Sequence, residues 1–245
     1  MTNEFVSFPG VSALVTGASR GLGRALAEQL GAAGARVVLV ARAGQELERA
    51  AQTIQARGGE AHALPADVAR KEDIYAIAGA AAALVGPIDL LVHNASSLGP
   101  TPLRLLLDTD CEDLQKVLDT NLLGPFRLSK AIGGSMALRK TGTILHVSSD
   151  ASVSAYERWG AYSVSKAALD HLSRIWAAEL RERGVRVLSV DPGEMATRMH
   201  EDALPDADPS TLAAPSDVAA RILRLLADPR VETGSRVEAQ KWSAL

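Results

Sequence analysis

Along the chain, short runs of nearly unbroken apolar residues alternate with longer stretches in which apolar positions recur every three to four residues. Residues 11–16, 36–41, 61–64, 88–93, 143–148 and 185–190 read as strands, and a last one is expected over 235–239. Several are apolar at almost every position, as parallel strands are when helices cover both of their faces. Between them, residues 22–33, 44–57, 71–85 and 161–183 read as helices, the last closed by Gly184, a common stop signal. Such alternation predicts an α/β fold: a doubly wound parallel sheet of about seven strands with helices on both faces. No repeat, low-complexity tract or linker interrupts the chain, so 1–245 is expected to be one domain. The irregular stretch is 194–215, rich in Pro, Asp and Ala. Its place after a strand end, where α/β folds put their ligands, suits a substrate lid; a plain surface loop is the other reading.

The first strand runs directly into Thr16-Gly17-Ala18-Ser19-Arg20-Gly21-Leu22-Gly23, which opens the first helix. Gly17 allows the tight turn, Gly21 lets the backbone approach a pyrophosphate, and Gly23 lets helix and strand pack closely. The helix N-terminus offers free N–H groups and the positive end of its dipole to phosphates. A glycine loop alone says little, but strand before and helix after make it a dinucleotide site of the Rossmann type. Near the end of the second strand an NAD-binding chain usually carries an acid for the ribose hydroxyls. Here Ala41 is neutral, the first acid beyond it is Glu46, and Arg20 and Arg42 bring two guanidinium groups. Guanidinium suits the 2′-phosphate of NADP(H), the expected cofactor, although both arginines would also be ordinary on a solvated surface. Asp67-Val68, after the third strand, are further candidate contacts; Asp67 could accept from the adenine amino group or cap the next helix.

Tyr162-Ser163-Val164-Ser165-Lys166 sets a tyrosine and a lysine four apart, on one face of the long helix. A phenol is a weak base at neutral pH, and a nearby ammonium or an oxidised nicotinamide should lower its pKa. Ser149, thirteen residues before Tyr162, ends a strand that should open onto the same crevice. Its hydroxyl could hold a substrate oxygen between the phenol and the hydride carbon.

Composition narrows the partners more than the chemistry. With 47% hydrophobic and 22% charged residues, 245 residues can bury a large core. A formal net charge of −3 gives no electrostatic reason to expect nucleic acid or an anionic membrane as partner. The lone cysteine, Cys111, excludes an intramolecular disulfide and fits a reducing compartment. Residues 1–10 lack a secretory pattern and no apolar run is long enough to span a bilayer, so a cytoplasmic protein is expected. The five histidines show no metal-ligand spacing.

Taken together, these motifs resemble the short-chain dehydrogenase/reductase family in its compact single-domain form. The match covers residues 11–237 and joins the glycine loop, His93-Asn94-Ala95-Ser96, Asn121, Ser149, Tyr162-x-x-x-Lys166, and Pro192-Gly193 with Thr197. The resemblance implies Tyr162 as general acid/base and Ser149 as the group orienting substrate. It implies that Lys166 holds the nicotinamide ribose and tunes Tyr162, while Asn121 anchors a water in a proton relay. Asn94, Ala95, Pro192, Gly193 and Thr197 would line the cofactor. A local backbone bond in a helix kinked at Gly124-Pro125 is compatible with the role of Asn121. The implied reaction is hydride transfer between NADP(H) and a ketone, aldehyde or secondary alcohol, in a homodimer or homotetramer. A non-catalytic dinucleotide sensor on the same fold is the alternative, and an epimerase or dehydratase that uses the nicotinamide transiently is a third.

Departures from the family pattern carry expectations too. Ser96 stands where relatives have glycine, at a cost on the order of 1 kcal/mol if the backbone there needs positive φ. His93 reads as a structural group at a strand end rather than a base. Residues 235–239 lack the Asp-Gly-Gly that many relatives carry next. Substrate walls are expected from 97–100, 150–159 and the 194–215 stretch, where Tyr156 and Trp159 could cap an apolar substrate, pack their loop, or sit in a subunit interface.

Overall fold

The computed structural model describes residues 6–243. Seven strands form one sheet in the order β3-β2-β1-β4-β5-β6-β7. They are β1 (Ser12–Thr16), β2 (Arg36–Ala41), β3 (Glu60–Pro65), β4 (Leu90–His93), β5 (Gly142–Val147), β6 (Val185–Asp191) and β7 (Arg236–Glu238). Every neighbouring pair is parallel. The chain runs outward from β1 to β3, then returns past β1 to build the other half, so the order reverses between β1 and β4. Ligands bind at such a switch, above the carboxyl ends of the strands.

Alternation along each strand divides the core in two. Ala13, Val15, Val37, Leu39, Val92 and Leu145 face α1 (Gly21–Ala32), α2 (Gly44–Ala56) and α8 (Pro215–Ala227). Leu14, Val38, Val40, Leu91, Ile144 and Val187 face α3 (Asp73–Val85), α5 (Gly124–Arg139) and α6 (Gly160–Leu180). Both faces are dry, which explains strands that read as continuous apolar runs.

Most predicted boundaries differ from the observed ones by a residue or two, and some shifts have clear causes. β4 begins at Leu90 rather than 88. Pro87 has no N–H to give, and the Asp89 carboxylate takes the Ser12 N–H at 3.1 Å and Arg139 Nη1 at 2.7 Å. α6 stops at Leu180 and tightens into a 3-10 turn over Arg181–Arg183 before Gly184. Gly184 has φ +67°, and a Cβ there would strike the Lys140 carbonyl, so glycine is required. The 194–215 stretch holds the short helix α7 (Arg198–Ala203) and is tied back by a bridge between Met195 and Ala213. Among the described residues, no helix is long and apolar enough to cross a membrane.

On the α5/α6 face, His93 and His146 stack at the middle of the sheet, centroids 4.9 Å apart and 9° from parallel. His93 Nε2 meets Ser129 Oγ at 2.8 Å, whereas both ring nitrogens of His146 are buried without a partner among the described residues. His93 is therefore a structural group, as read from the sequence. Burial pushes the His146 pKa down to about 3, helped by Lys166 and opposed by Asp170. Burial, with His146 beside it, also holds His93 well below the usual range. A pKa lowered on folding means the unfolded chain binds more protons in the window between the two values. Stability should therefore fall as pH drops from about 6.5 toward 3, with about 2 kcal/mol lost by pH ~5 through His146 alone. Urea unfolding at the two pH values should show a shallower acid loss for His146→Leu than for the unsubstituted chain; equal losses would mean the stack does not govern acid stability.

Candidate active site

The β1–α1 turn is built around close backbone approach. Gly17 has φ +67°, and a Cβ there would come within 2.8 Å of Ala95 Cα. A Cβ on Gly23 would run into the Asn94 amide and the Gly17 carbonyl. Asn94 Nδ2 donates to the carbonyls of Thr16 at 3.0 Å and Gly17 at 3.1 Å, so this side chain braces the turn from below. Arg20 is the N-cap of α1 and makes no side-chain cap, which leaves the first N–H groups of the helix facing the cleft.

That cleft, about 750 Å³, runs across the switch point. Gly17, Ser19, Arg20, Gly21 and Leu22 line it from the turn, and Arg42, Asp67 and Val68 from the β2 and β3 ends. Asn94, Ala95, Tyr162, Lys166, Pro192 and Thr197 complete the other half. Gly23 lies beneath the turn instead, and Ser149 and Gly193 line an adjoining cavity. Arg20 and Arg42 are exposed, and neither forms an ion pair among the described residues. Asp67 does not cap α3, whose N-cap is Glu72; its Oδ1 accepts from the Ala69 N–H at 3.0 Å and closes a tight turn. Sequence reasoning overlooked Arg198, at the start of the short helix α7, which also lines the cleft, and placed Met195 only in the substrate wall although it lines both spaces.

Tyr162 and Lys166 share the buried face of α6. Lys166 is 2% exposed, donates to the Val147 carbonyl at 2.7 Å and stands 5.5 Å from the centre of the Tyr162 ring. The expected lowering of the phenol pKa is not found. Burial drives it up to about 12, against the Ser149 and Ser96 hydroxyls and with the carboxylates of Asp191 and Asp150. At 5.5 Å and bonded elsewhere, the ammonium does not offset that burial. Burial brings Lys166 down to about 8, while Asp170 and Asp191 hold it up. Ser149 Oγ donates to Asp150 Oδ1 at 2.9 Å and caps the turn that follows by accepting from Ala151 N–H.

Asn121 is fully buried in a π-turn, Asp119–Leu123, between α4 (Cys111–Leu118) and α5. The irregularity expected at Gly124-Pro125 thus lies one turn earlier. The bonds of its side chain are long-range, not local. Nδ2 donates to the Ser97 carbonyl and Ser165 Oγ, both at 2.9 Å, and Oδ1 accepts from the Ser97 N–H at 2.8 Å and Ser96 Oγ at 3.3 Å. With these bonds the amide is spent as a brace between the β4 loop and α6. Ser96, which gives one of them, is not among the residues with positive φ, so it carries no strain of that kind.

A charge network behind the site had only a faint signal in the sequence. Arg236 on β7 donates to Asp170 Oδ2, Asp191 Oδ2 and the Ser149 carbonyl at 3.0, 3.0 and 2.9 Å. Asp170 also receives Ser152 Oγ and Ser189 Oγ. Asp170 could have been suspected, four residues after Lys166 on the same face; Arg236, distant in sequence, could not.

The adjoining cavity, about 330 Å³, is walled by Ser149, Tyr156, Trp159 and Tyr162 on one side and Glu194, Met195, Met199 and Leu204 on the other. Tyr156 Oη donates to Asp150 Oδ2 at 2.8 Å, and the Trp159 ring meets Tyr162 edge-on at 5.7 Å. Tyr156 and Trp159 therefore pack their loop and also line the cavity.

The geometry agrees with comparisons to known proteins. The family model for short chain dehydrogenases matches residues 12–208. A 3-oxoacyl-[acyl-carrier-protein] reductase of Synechocystis is 37% identical over 225 residues, covering 89% of each chain. A 3beta-hydroxysteroid dehydrogenase of Eggerthella lenta is 33% identical, covering 89% of this chain and 87% of its own. A short chain dehydrogenase of Shigella flexneri, solved in complex with NADP, superposes with a TM-score of 0.90 at 28% identity, covering 97% of this chain and all of its own. With its switch-point cleft, glycine turn and Tyr162–Lys166 pair, the chain belongs to the short-chain dehydrogenase/reductase family of oxidoreductases.

Proposed function

We propose that this oxidoreductase is an NADP(H)-dependent carbonyl reductase or alcohol dehydrogenase with Tyr162 as its general acid/base. The observation that carries this reading is the position of Tyr162, which lines both the long cleft and the apolar cavity. A phenol at that junction can meet a substrate oxygen while the substrate carbon faces the cleft.

The cleft fits a dinucleotide. Its turn has no room for a Cβ at Gly17, and the open N-terminus of α1 suits a pyrophosphate. Arg20 and Arg42, free of carboxylate partners, favour a 2′-phosphate, and the NADP complex of the Shigella relative supports the same choice. When bound, NADPH supplies the hydride. Lys166 uses one of its three donors on the Val147 carbonyl, which leaves two for ribose hydroxyls.

Tyr162 then delivers its proton to the substrate oxygen. A phenol held near 12 is protonated at neutral pH, the form needed for reduction. Ser149 steadies the same oxygen, which must compete with Asp150 for the serine proton. Lys166, brought down to about 8, stands 5.5 Å from the centre of the Tyr162 ring, so a proton it returns to Tyr162 would pass through an intervening hydroxyl. Asn121 acts by bracing the β4 loop against α6, its amide already bonded to Ser97 and Ser165. The 194–215 stretch lines both cavities and serves as the substrate lid. Exposed Phe126 on α5, with Val164 and Ile175 on α6, favours a homo-oligomer packed through these helices.

Tyr162→Phe should lower kcat/KM for ketone reduction by roughly a thousandfold while NADPH binds about as before, since general acid catalysis is worth about 10²–10⁴. Turnover close to that of the unsubstituted enzyme would remove Tyr162 from the chemistry. Arg42→Ala should weaken NADPH about tenfold to a hundredfold, the worth of one charge-assisted bond, and leave NADH nearly unchanged. Equal losses in a calorimetric titration of both cofactors would mean Arg42 does not read the 2′-phosphate.

A further inference from the structure

The cavity beside Tyr162 has an asymmetric charge lining. Asp150 and Glu194 are exposed carboxylates on two of its edges, and Asp191 lies buried behind them. No lysine or arginine is among its lining residues, and His200 is the only side chain there that could carry positive charge. Arg236 is turned away from the cavity's needs, bonded to Asp170, Asp191 and the Ser149 carbonyl. The remaining wall is apolar and broad: Leu98, Trp159, Met195, Met199 and Leu204. Methionines on a wall adapt to irregular shapes, and an aromatic face favours a flat ring.

An anionic substrate entering this space would lose hydration, find no lysine or arginine to pair with, and approach two carboxylates. An apolar skeleton would lose only unfavourable water contact. Resting on the reductase reading above, we infer that the site takes apolar, ring-sized carbonyl compounds that carry no acidic group, and that Glu194 and Asp150 turn away carboxylates and phosphates. The cavity volume of about 330 Å³ leaves space for more than one ring. Two independent features carry the inference: the chemistry of the wall selects the skeleton, and the missing cation excludes the acid.

The test compares three ketones in the NADPH-loaded enzyme: 4-oxocyclohexanecarboxamide, 4-oxocyclohexanecarboxylate and 2-decalone. The carboxylate should show a kcat/KM at least about tenfold below the isosteric amide, mostly in KM, and 2-decalone should exceed both. The gap between amide and carboxylate should shrink as salt is raised, because charge repulsion is screened and shape is not. Glu194→Gln should narrow the same gap about threefold or more. A carboxylate turned over as well as the amide overturns the inference. If no ketone consumes NADPH, the reductase reading fails, and the inference is then judged by calorimetric binding of cyclohexanecarboxamide and cyclohexanecarboxylate to the NADPH-loaded protein, whose nicotinamide is uncharged. Equal affinity there overturns it as well; a carboxylate at least about tenfold weaker supports it.

Discussion

The ammonium of Lys166 is almost wholly removed from water, and the arrangement of the site follows from that. A buried cation is tolerable only with partners, because its desolvation costs several kcal/mol. One partner is the Val147 carbonyl at the end of β5. The others act through space: the carboxylates of Asp170 and Asp191 hold the ammonium up against burial. Those carboxylates are themselves buried and are tied to Arg236. Arg236 in turn grips the backbone carbonyl of Ser149. Two cations and two carboxylates thus close a compact set that joins α6, β6, β7 and the loop bearing Ser149. Positions of Tyr162 and Ser149 are consequences of this set, since one shares the helix of Lys166 and the other is held by Arg236.

Much of this was legible in the sequence, for reasons that differ by element. Dry strands between two helix layers read as apolar runs, and a positive-φ turn between strand and helix demands glycine, so β1, the turn and α1 were plain. Tyr162 and Lys166 were legible because a four-residue step on a helix puts them on one face. Other features depend on distant chain segments meeting, which no local pattern encodes. Arg236 reaches Asp170 across 66 residues, and Asn121 reaches Ser165 across 44. The pKa of Tyr162 was misjudged because spacing reveals a neighbouring charge and not the dryness around it. Here dryness prevails: the phenol rises where the lysine alone would have lowered it. Ser96 departs from glycine without the feared strain, since its backbone never enters the left-handed region.

The cleft and the cavity are specified in different ways, which accounts for a family so alike in fold and so varied in substrate. The β1–α1 edge of the cleft is shaped by backbone, held by Gly17, Gly23 and Asn94. The adjoining cavity is walled largely by side chains of the 150–159 and 194–215 stretches, which contribute few residues to the core.

Burial holds the phenol of Tyr162 up at about 12, so it keeps its proton at neutral pH. Under the proposed function it would act as a base, in the oxidative direction, only with a positive charge added beside it. An oxidised nicotinamide ring would supply that charge if it lay in the cleft that Tyr162 and Lys166 line. The direct measurement is an ultraviolet titration of the phenolate band, with Tyr162→Phe subtracted so that Tyr75 and Tyr156 cancel. Without cofactor, no Tyr162 phenolate should form up to pH about 10; with saturating NADP⁺, its midpoint should move below that by at least about one unit. A midpoint that stays in place when NADP⁺ binds would contradict the account.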